Sequence, residues 1–387
     1  MRIITYDPML KHAYGHHLPV TKFIHEEAVR RGFESIVYVS KDLPSHATRL
    51  PVRRECKSES YTWFEDDEPL KGILLYTREN AVIQQDLCRL IPPFDLQEGD
   101  VVVVHTFVNE HLLGILDWFE RVDAPISLRL FTYFPPWRAG FLSQELAEPL
   151  ATYALRRWAT CKKDVKFFTE NEQLSQLMSS LSIVPFTTIH PPVDFCGTKP
   201  APRRVRTDGG CTWVYPGEPR WEKGLRFLPD AWEMHHARFP ADTLKVQYIG
   251  VDKGWIDKLG GAENGVKAIP RALHGQEYFA HLASGDFVVF PYEPTEYLYR
   301  ASHLLLEALS MARPVVVSSG TWLEREIYSY PEPVGAVMRE WNAERLALAM
   351  AAARRNTEGF QCASEAAAPL VRERYEHTKF FDEFVLS

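Results

Sequence analysis

Residues 214–231, VYPGEPRWEKGLRFLPDA, carry the side chains best suited to binding a diphosphate. Gly217 follows an apolar strand-like run, Arg220 lies in a short polar loop, and Lys223 and Gly224 open an amphipathic helical pattern. Such a turn offers backbone N–H groups, the positive end of a helix dipole and a cationic side chain to one anion. The pattern predicts a phosphate-binding loop; the alternative is a basic loop that only caps a helix.

The elements that must position this loop are short apolar runs alternating with helical patterns. In the first half, strand-like runs occupy 2–5, 35–40, 72–76, 101–105, 126–131, 166–169 and 186–190, and amphipathic spacing occupies 18–31 and 110–120. Runs rich in Val and Ile that alternate with helices predict a parallel sheet covered on both faces. After a polar stretch at 196–210, strand-like runs resume at 212–215, 244–249, 266–269, 287–290, 314–317 and 335–338.

The sequence therefore predicts an α/β protein with two Rossmann-like, doubly wound domains, over 1–197 and 198–370. Residues 371–387 have a helical pattern ending in the apolar FFDEFVLS, and we expect this helix to dock back on the first domain. Two such domains would face each other across a cleft, because ligands of open α/β sheets bind at the carboxyl ends of the strands. This layout alone does not select a function.

Composition narrows the choice of function. The net charge of −7 and the isoelectric point near 6.1 argue against binding nucleic acid by neutralising phosphates. The six cysteines show no C-x-x-C pair or metal-binding spacing, which is typical of reduced thiols. No segment resembles a secretory signal, and none reaches about 18 uninterrupted apolar residues. We expect a cytoplasmic protein without a nucleic-acid partner.

Several catalytic motifs are missing from the sequence. The acidic cluster at 65–68 lies in a polar stretch, not after an apolar strand where a divalent ion for a diphosphate would be held. No nucleophile elbow, Walker loop or G-x-G-x-x-G fingerprint occurs. Helix N-termini and Arg or Lys side chains can neutralise a leaving diphosphate in place of a metal. We therefore expect metal-independent chemistry and no cofactor.

Three segments, in order, resemble the family 4 glycosyltransferases, a large retaining family with the GT-B fold. Residues 214–231 resemble the family's G-R-x-x-x-x-K-G loop. Residues 288–327 resemble its strand, its E-x-F-G-x-x-x-x-E-A helix and its G-x-P-V-V strand. The stretch around 168–194, with FFTENEQLSQLM and TTIHPPVDF, is similar to the helix and strand that close its N-terminal domain. The resemblance implies a GT-B fold and a nucleotide-sugar donor.

The resemblance assigns roles to two donor-side residues. Lys223 matches the family's phosphate-binding lysine, and Glu307, in LLLEAL, matches the carboxylate that binds the ribose hydroxyl groups. A carboxylate that accepts two vicinal hydroxyl hydrogens makes strong, charge-assisted bonds. The alternative for Glu307 is a solvated helix charge, although an acid in so apolar a run is more often functional or paired.

Two positions depart from the family pattern. Glu218 occupies the place of the phosphate-binding arginine, where an acid repels a diphosphate, and Arg220 could substitute for it. Tyr299 occupies the place of the first glutamate of the paired-carboxylate motif. The following Arg300 and Ser302 could hold phosphate oxygens instead. These departures place the identity of the donor sugar in question.

The first domain supplies the acceptor side in this interpretation. Tyr14, Gly15, His16 and His17 follow the first strand, as the family's glycine-containing acceptor loop does, and His105 ends the run VVVVH. We expect His105 to contact the donor sugar and His16 to lie near the acceptor. The alternatives are a histidine that only caps its strand and a pair of histidines in a surface loop.

Three functions follow as alternatives. The first is transfer of a hexose-type sugar from a nucleotide-diphosphate sugar to a glycan, lipid-linked or small-molecule acceptor, with retention. The second is a catalytically degenerate GT-B protein that only binds a nucleotide or a glycan, as Glu218 and Tyr299 suggest. The third is a sugar-nucleotide epimerase, which would need acid and base carboxylates that the sequence does not reveal. The sequence favours the first.

One stretch suggests contact with a membrane. Residues 154–166, ALRRWATCKKDVK, are basic and aromatic in an otherwise acidic chain, and PPWR precedes them at 135–138. Such a pattern suits peripheral contact with an anionic membrane or a lipid-linked acceptor. The alternative is a solvated helix with a buried Trp158.

Overall fold

The structure, a computed structural model, describes residues 1–12, 15–58, 69–138, 140, 142–193, 209–218, 220–248, 253–273 and 275–387. Contacts divide the chain into two compact units. Unit 1 comprises Met1–Val193 and Tyr375–Ser387, and unit 2 comprises Asp194–Arg374. Tyr14, the acidic cluster at 65–68 and the polar stretch at 196–208 lie outside the described residues.

Unit 1 is built on a parallel sheet. Its described strands are β1 (Arg2–Asp7), β2 (Glu34–Ser40), β3 (Val52–Cys56), β4 (Val101–His105), β5 (Ser127–Thr132), β6 (Val165–Thr169) and β7 (Phe186–Thr188). Their order is β3-β2-β1-β4-β5-β6-β7. The chain therefore reverses its direction of winding between β1 and β4, and ligands of open α/β sheets bind at such a switch point.

The described helices of unit 1 that precede unit 2 include a segment for which the sequence predicts a strand. They are α1 (His17–Arg30), α2 (Pro69–Leu90), α3 (Leu112–Glu120), α4 (Gln144–Trp158) and α5 (Glu172–Ser180). The strand predicted at 72–76 is wrong, because these residues belong to α2. Its buried positions recur every three or four residues, at 72, 76, 79, 80 and 83, which is the helical period.

Unit 2 has the same kind of architecture as unit 1, a parallel sheet with helices between its strands. Its described strands are β8 (Thr212–Tyr215), β9 (Thr243–Gln247), β10 (Val266–Ile269), β11 (Phe287–Phe290), β12 (Val315–Ser318) and β13 (Gly335–Met338). They form a parallel sheet ordered β10-β9-β8-β11-β12-β13, with its switch point between β8 and β11. The helices are α6 (Leu228–His236), α7 (Lys253–Leu259), α8 (Gly275–Ala283), α9 (Pro294–Tyr297), α10 (His303–Ser310), α11 (Trp322–Ile327), α12 (Ala343–Arg355) and α13 (Thr357–Arg374).

The chain returns to unit 1 at its C-terminal end. The Val193 N–H donates to the Tyr375 carbonyl at 3.4 Å, so the two stretches of unit 1 meet where unit 2 is inserted. The last helix, α14 (His377–Phe384), buries Phe380, Phe381 and Phe384 in the core beside β4, β5 and β6. Apolar burial of this size stabilises a domain by several kcal/mol, at about 25 cal/mol per Å².

Candidate functional site

The predicted phosphate loop follows the carboxyl end of β8, at the switch point of unit 2. Gly217 and Gly224 both have positive φ, +77° and +75°, which favours glycine over other residues. A Cβ on Gly224 would lie 2.3 Å from the Pro291 carbonyl oxygen, so the backbone approach itself requires glycine. A Cβ on Gly217 would lie 3.7 Å from the Lys223 Nζ and 2.8 Å from a methyl group of Leu304. The loop therefore folds back so that the lysine lies against its first glycine.

Lys223 is an unusually buried lysine, with 6% of its surface exposed. Burial lowers the pKa of its ammonium group to about 7, and the positive charges of Arg220 and Arg300 act in the same direction. The carboxylates of Glu222 and Glu218 oppose this shift. A bound anion would restore the charged form of the lysine, because an opposite charge nearby favours ionisation. The site is thus electrostatically suited to a phosphate.

Two arginines of the predicted site lie near Lys223, since both influence its ionisation. Arg220 pairs with Glu222 at 3.1 Å. The Arg300 guanidinium lies 4.7 Å from the centre of the Tyr297 ring and 3.6 Å from the Glu296 carboxylate. Unit 2 therefore brings Arg220, Lys223 and Arg300 together, and the two arginines also make intramolecular contacts.

Helix α10 completes the predicted donor side. Ser302 is its N-cap, and its hydroxyl accepts a hydrogen bond from the Leu305 N–H at 3.3 Å. Glu307 accepts a hydrogen bond from the Tyr278 hydroxyl at 2.9 Å. Burial, together with the negative charge of Glu307, raises the pKa of Tyr278 well above its usual range, so the phenol remains the donor. Sequence reasoning missed Tyr278, because no motif marks a lone tyrosine on α8.

A second polar cluster surrounds Asp7 at the switch point of unit 1. The His17 Nδ1 lies 3.1 Å from one oxygen of the Asp7 carboxylate. The other oxygen lies 3.3 Å from the His105 Nδ1 and accepts a hydrogen bond from the Thr21 hydroxyl at 2.8 Å. Burial acts to raise the pKa of Asp7, but the charge of His17 and hydrogen bonds from both histidines outweigh it and hold the pKa well below its usual range. Asp7 is therefore ionised at neutral pH.

Of the two histidines that the sequence predicts to contact substrate, His105 belongs to this cluster and His16 lies beside it. His105 is fully buried, and its Nε2 lies 2.7 Å from the Tyr133 hydroxyl, so both of its ring nitrogens are engaged inside unit 1. Burial lowers the pKa of His105 despite the neighbouring Asp7. The His16 ring packs 4.1 Å from the Tyr133 ring, centre to centre. Sequence reasoning missed Asp7 and Tyr133, which come together with His105 only through the sheet.

Three side chains of this cluster have the chemistry of metal ligands. One ligand atom from each of Asp7, His17 and His105 lies within 4.8 Å of the other two. This is the one such group of three among the described residues.

The basic stretch at 154–166 has structural contacts. Trp158 is buried, and its Nε1 donates to the Leu112 carbonyl at 3.0 Å. The Lys163 ammonium donates to the carbonyls of Phe119 and Val122, at 2.7 and 2.5 Å, and so caps the C-terminal end of α3. Contact with a membrane stays a prediction. In the described part of the chain, helices that combine the length and apolarity needed to span a bilayer are absent.

Comparison with solved structures defines the class of fold: the two parallel sheets match those of GT-B glycosyltransferases. The predicted fold class is thereby confirmed. Anabaena Alr3699/HepE in complex with UDP is 15% identical, with a TM-score of 0.65 over 99% of this chain and 98% of that one. Sucrose-phosphate synthase from Thermosynechococcus elongatus is 13% identical, with a TM-score of 0.69 over 100% and 97%. An E. coli trehalose-6-phosphate protein bound with UDP-2-fluoro glucose is 11% identical, with a TM-score of 0.65 over 99% and 98%.

At these identities the likeness establishes the fold, and function must be argued from the site. No protein-family model matches the chain, and no curated protein matches it in sequence. Membership of family 4 stays a prediction.

Proposed function

We propose that this protein is a glycosyltransferase that moves a hexose-type sugar, with retention and without a metal at the diphosphate, from a nucleotide-sugar donor to a glycan, lipid-linked or small-molecule acceptor. The observation that carries the proposal is the buried Lys223 ammonium, which lies against Gly217 at the switch point of unit 2. Burying an ammonium group is costly unless an anion compensates it. A structural lysine would gain more from solvent exposure, so an anionic ligand best explains its placement.

The donor is assigned to unit 2 in this proposal. Arg220, Lys223 and the backbone of Gly217 and Gly224 bind the diphosphate, and Arg300 adds a further positive charge. Cationic groups and backbone amides fixed in this way stabilise the charge that develops on a leaving diphosphate, which a metal would otherwise neutralise.

The rest of the donor binds along α10. Ser302, at the N-terminus of this helix, binds a phosphate oxygen through its hydroxyl hydrogen, and Glu307, oriented by Tyr278, accepts hydrogen bonds from the ribose hydroxyl groups. The structures of HepE solved with UDP and with UDP-glucose support a uridine nucleotide as the first donor to test.

The acceptor side is assigned to unit 1 in this proposal. His16 is the partly exposed residue of this side, and its ring packs against the buried Tyr133 ring. His105 fixes the position of the Tyr133 hydroxyl, since both of its own ring nitrogens are engaged.

The proposal is tested by calorimetric titration with UDP, GDP and their glucose conjugates. We expect one of the nucleotides to bind, and Lys223→Ala to weaken its binding by roughly 1.5–3 kcal/mol, since a charge-assisted hydrogen bond is lost. Lys258→Ala, which removes an exposed lysine from α7, is the matched control and should bind normally. Unchanged affinity in a folded Lys223→Ala protein would refute the phosphate-loop assignment.

A second candidate function is a GT-B protein that binds a nucleotide sugar without transferring the sugar. Tyr299 in place of the first motif glutamate and the Glu296–Arg300 ion pair favour it, because both alter the region where the donor sugar is expected. A transfer assay separates the two functions: a protein that binds UDP-glucose but releases no UDP with any acceptor from a broad panel supports the binding protein.

A further inference from the structure

We propose that Asp7, His17 and His105 bind one zinc ion inside unit 1. The three residues come from the end of β1, the start of α1 and the end of β4, so the ion would join three elements at the switch point of the sheet. The proposal concerns unit 1 alone and does not depend on the proposed transferase function.

The ligand set and its spacing suit zinc. Zinc binds imidazole nitrogen and carboxylate oxygen at about 2.0–2.2 Å in tetrahedral geometry, which places neighbouring ligand atoms roughly 3.3–3.5 Å apart. One oxygen of the Asp7 carboxylate, Oδ2, lies 3.3 Å from the His17 Nδ1 and 3.3 Å from the His105 Nδ1. The third separation, between the ligand nitrogens of His17 and His105, is at most 4.8 Å. His17 is the least buried of the three side chains, 11% exposed, and a small rotation of its ring can shorten the distance between its nitrogen and that of His105.

The surroundings of the three ligands match the usual outer shell of a zinc site. A zinc-binding imidazole normally makes a hydrogen bond through its other nitrogen, which fixes the orientation of the ring, and a zinc-binding carboxylate is itself hydrogen-bonded. The His105 Nε2 lies 2.7 Å from the Tyr133 hydroxyl, and Asp7 accepts a hydrogen bond from Thr21 at 2.8 Å. Both outer contacts can therefore persist when the ion binds.

The charge balance also suits a divalent cation. The cluster contains a single ionised carboxylate with two imidazoles, and the two rings bind the ion as neutral ligands through Nδ1. The protons then reside on Nε2, where that of His105 is donated to Tyr133. Nitrogen and oxygen donors in this combination select zinc over the hard cations magnesium and calcium, which prefer oxygen alone.

The test uses the full-length protein, stripped of metal with a chelator and titrated with zinc chloride. We expect one zinc ion per chain, with a Kd of about 1 μM or tighter, and a rise in the thermal unfolding midpoint, because a ligand of the native state stabilises it. Cobalt(II) bound in place of zinc should show the intense visible absorption of a tetrahedral site. Binding weaker than about 1 mM, or cobalt absorption of the weak octahedral type, would overturn the proposal. The three side chains would then form only a hydrogen-bonded network.

A conservative variant distinguishes zinc binding at this site from zinc binding at other histidines of the chain. His17→Asn keeps an N–H donor for Asp7 but removes the imidazole, and it should weaken zinc binding by more than about 100-fold, since loss of an outer-shell partner alone costs about 10- to 100-fold. The matched control is His25→Asn on the same helix, where the ring contacts Ser35 at 2.9 Å. Equal zinc affinity in His17→Asn and His25→Asn would refute the site.

Discussion

At the scale of single residues, the lowered pKa of Lys223 gives nucleotide binding a defined pH dependence. Above pH 7 the ammonium group of the free protein is increasingly deprotonated, because burial lowers its pKa to about 7. A bound diphosphate raises this pKa again, so binding takes up a proton. We expect the affinity for UDP to fall by up to about tenfold per pH unit above pH 7, measured by titration calorimetry between pH 6 and 9.

The control for this dependence is Lys223→Met, which keeps the volume of the side chain and removes its titration. Its affinity for UDP should be weak and nearly constant above pH 7, where the terminal phosphate, with a pKa of about 6, is already ionised. The calorimetric heat should also depend on the ionisation enthalpy of the buffer for the wild type and not for the variant. The same slope in both proteins would mean that another group is responsible.

At the scale of elements, the loop between β8 and α6 depends on a backbone shape that Gly224 permits. Gly224→Ala would place a Cβ in a left-handed conformation, at a cost of about 1–2 kcal/mol, and also against the Pro291 carbonyl oxygen. We expect the loop to shift, and UDP affinity to fall at least tenfold, about 1.4 kcal/mol. Titration with UDP and urea unfolding measure the two effects.

Gly209 provides the matched control for this substitution. It also has a positive φ, +68°, but a Cβ there would meet nothing within 4 Å. Gly209→Ala should therefore lower the unfolding free energy only by the cost of the left-handed conformation, and it should bind UDP normally. If both variants bind equally well, close contact with Pro291 has no part in shaping the loop.

The helices and strands differ in how well the sequence predicts them. The inner strands β8, β11 and β12 of unit 2 are predictable because they are buried on both faces and thus appear as nearly unbroken apolar runs, as in FVVF at β11. Residues 72–76 form an equally apolar run, and five residues are too few to separate a strand from a helix turn. The edge strand β3, VRREC, escapes detection because charged residues occupy its exposed and half-exposed positions.

The two candidate sites also differ in how well the sequence predicts them, because their residues are separated by different distances along the chain. Gly217, Lys223 and Gly224 are close in sequence, so their spacing alone indicates a loop. Asp7 and His105 are 98 residues apart and meet only because β1 pairs with β4. The parallel register that joins them has no local signature in the sequence.

At the scale of the whole molecule, unit 1 depends on a helix that follows unit 2 in sequence. The Phe384 ring is fully buried and lies 5.6 Å from the Phe131 ring and 5.1 Å from the Phe168 ring. Phe384→Ala should lower the unfolding free energy of unit 1 by about 3–5 kcal/mol through loss of burial and the cavity left behind. Denaturant unfolding monitored by hydrogen exchange of β4 and β5 would measure it.

Leu386→Ala is the control, because Leu386 lies two residues further on and is 37% exposed. It should change the unfolding free energy by no more than about 0.5 kcal/mol. Equal effects of the two substitutions would show that α14 does not contribute to the core of unit 1.

The return of the chain to unit 1 also bears on the order in which the protein is made. Domains generally fold as they leave the ribosome, starting from the N-terminus. Here the first 193 residues emerge without the three phenylalanines of α14, whereas unit 2 is one continuous segment. During synthesis unit 2 can therefore complete its core before unit 1, and the nascent unit 1 exposes an apolar surface for which a chaperone would compete until Tyr375–Ser387 has been translated.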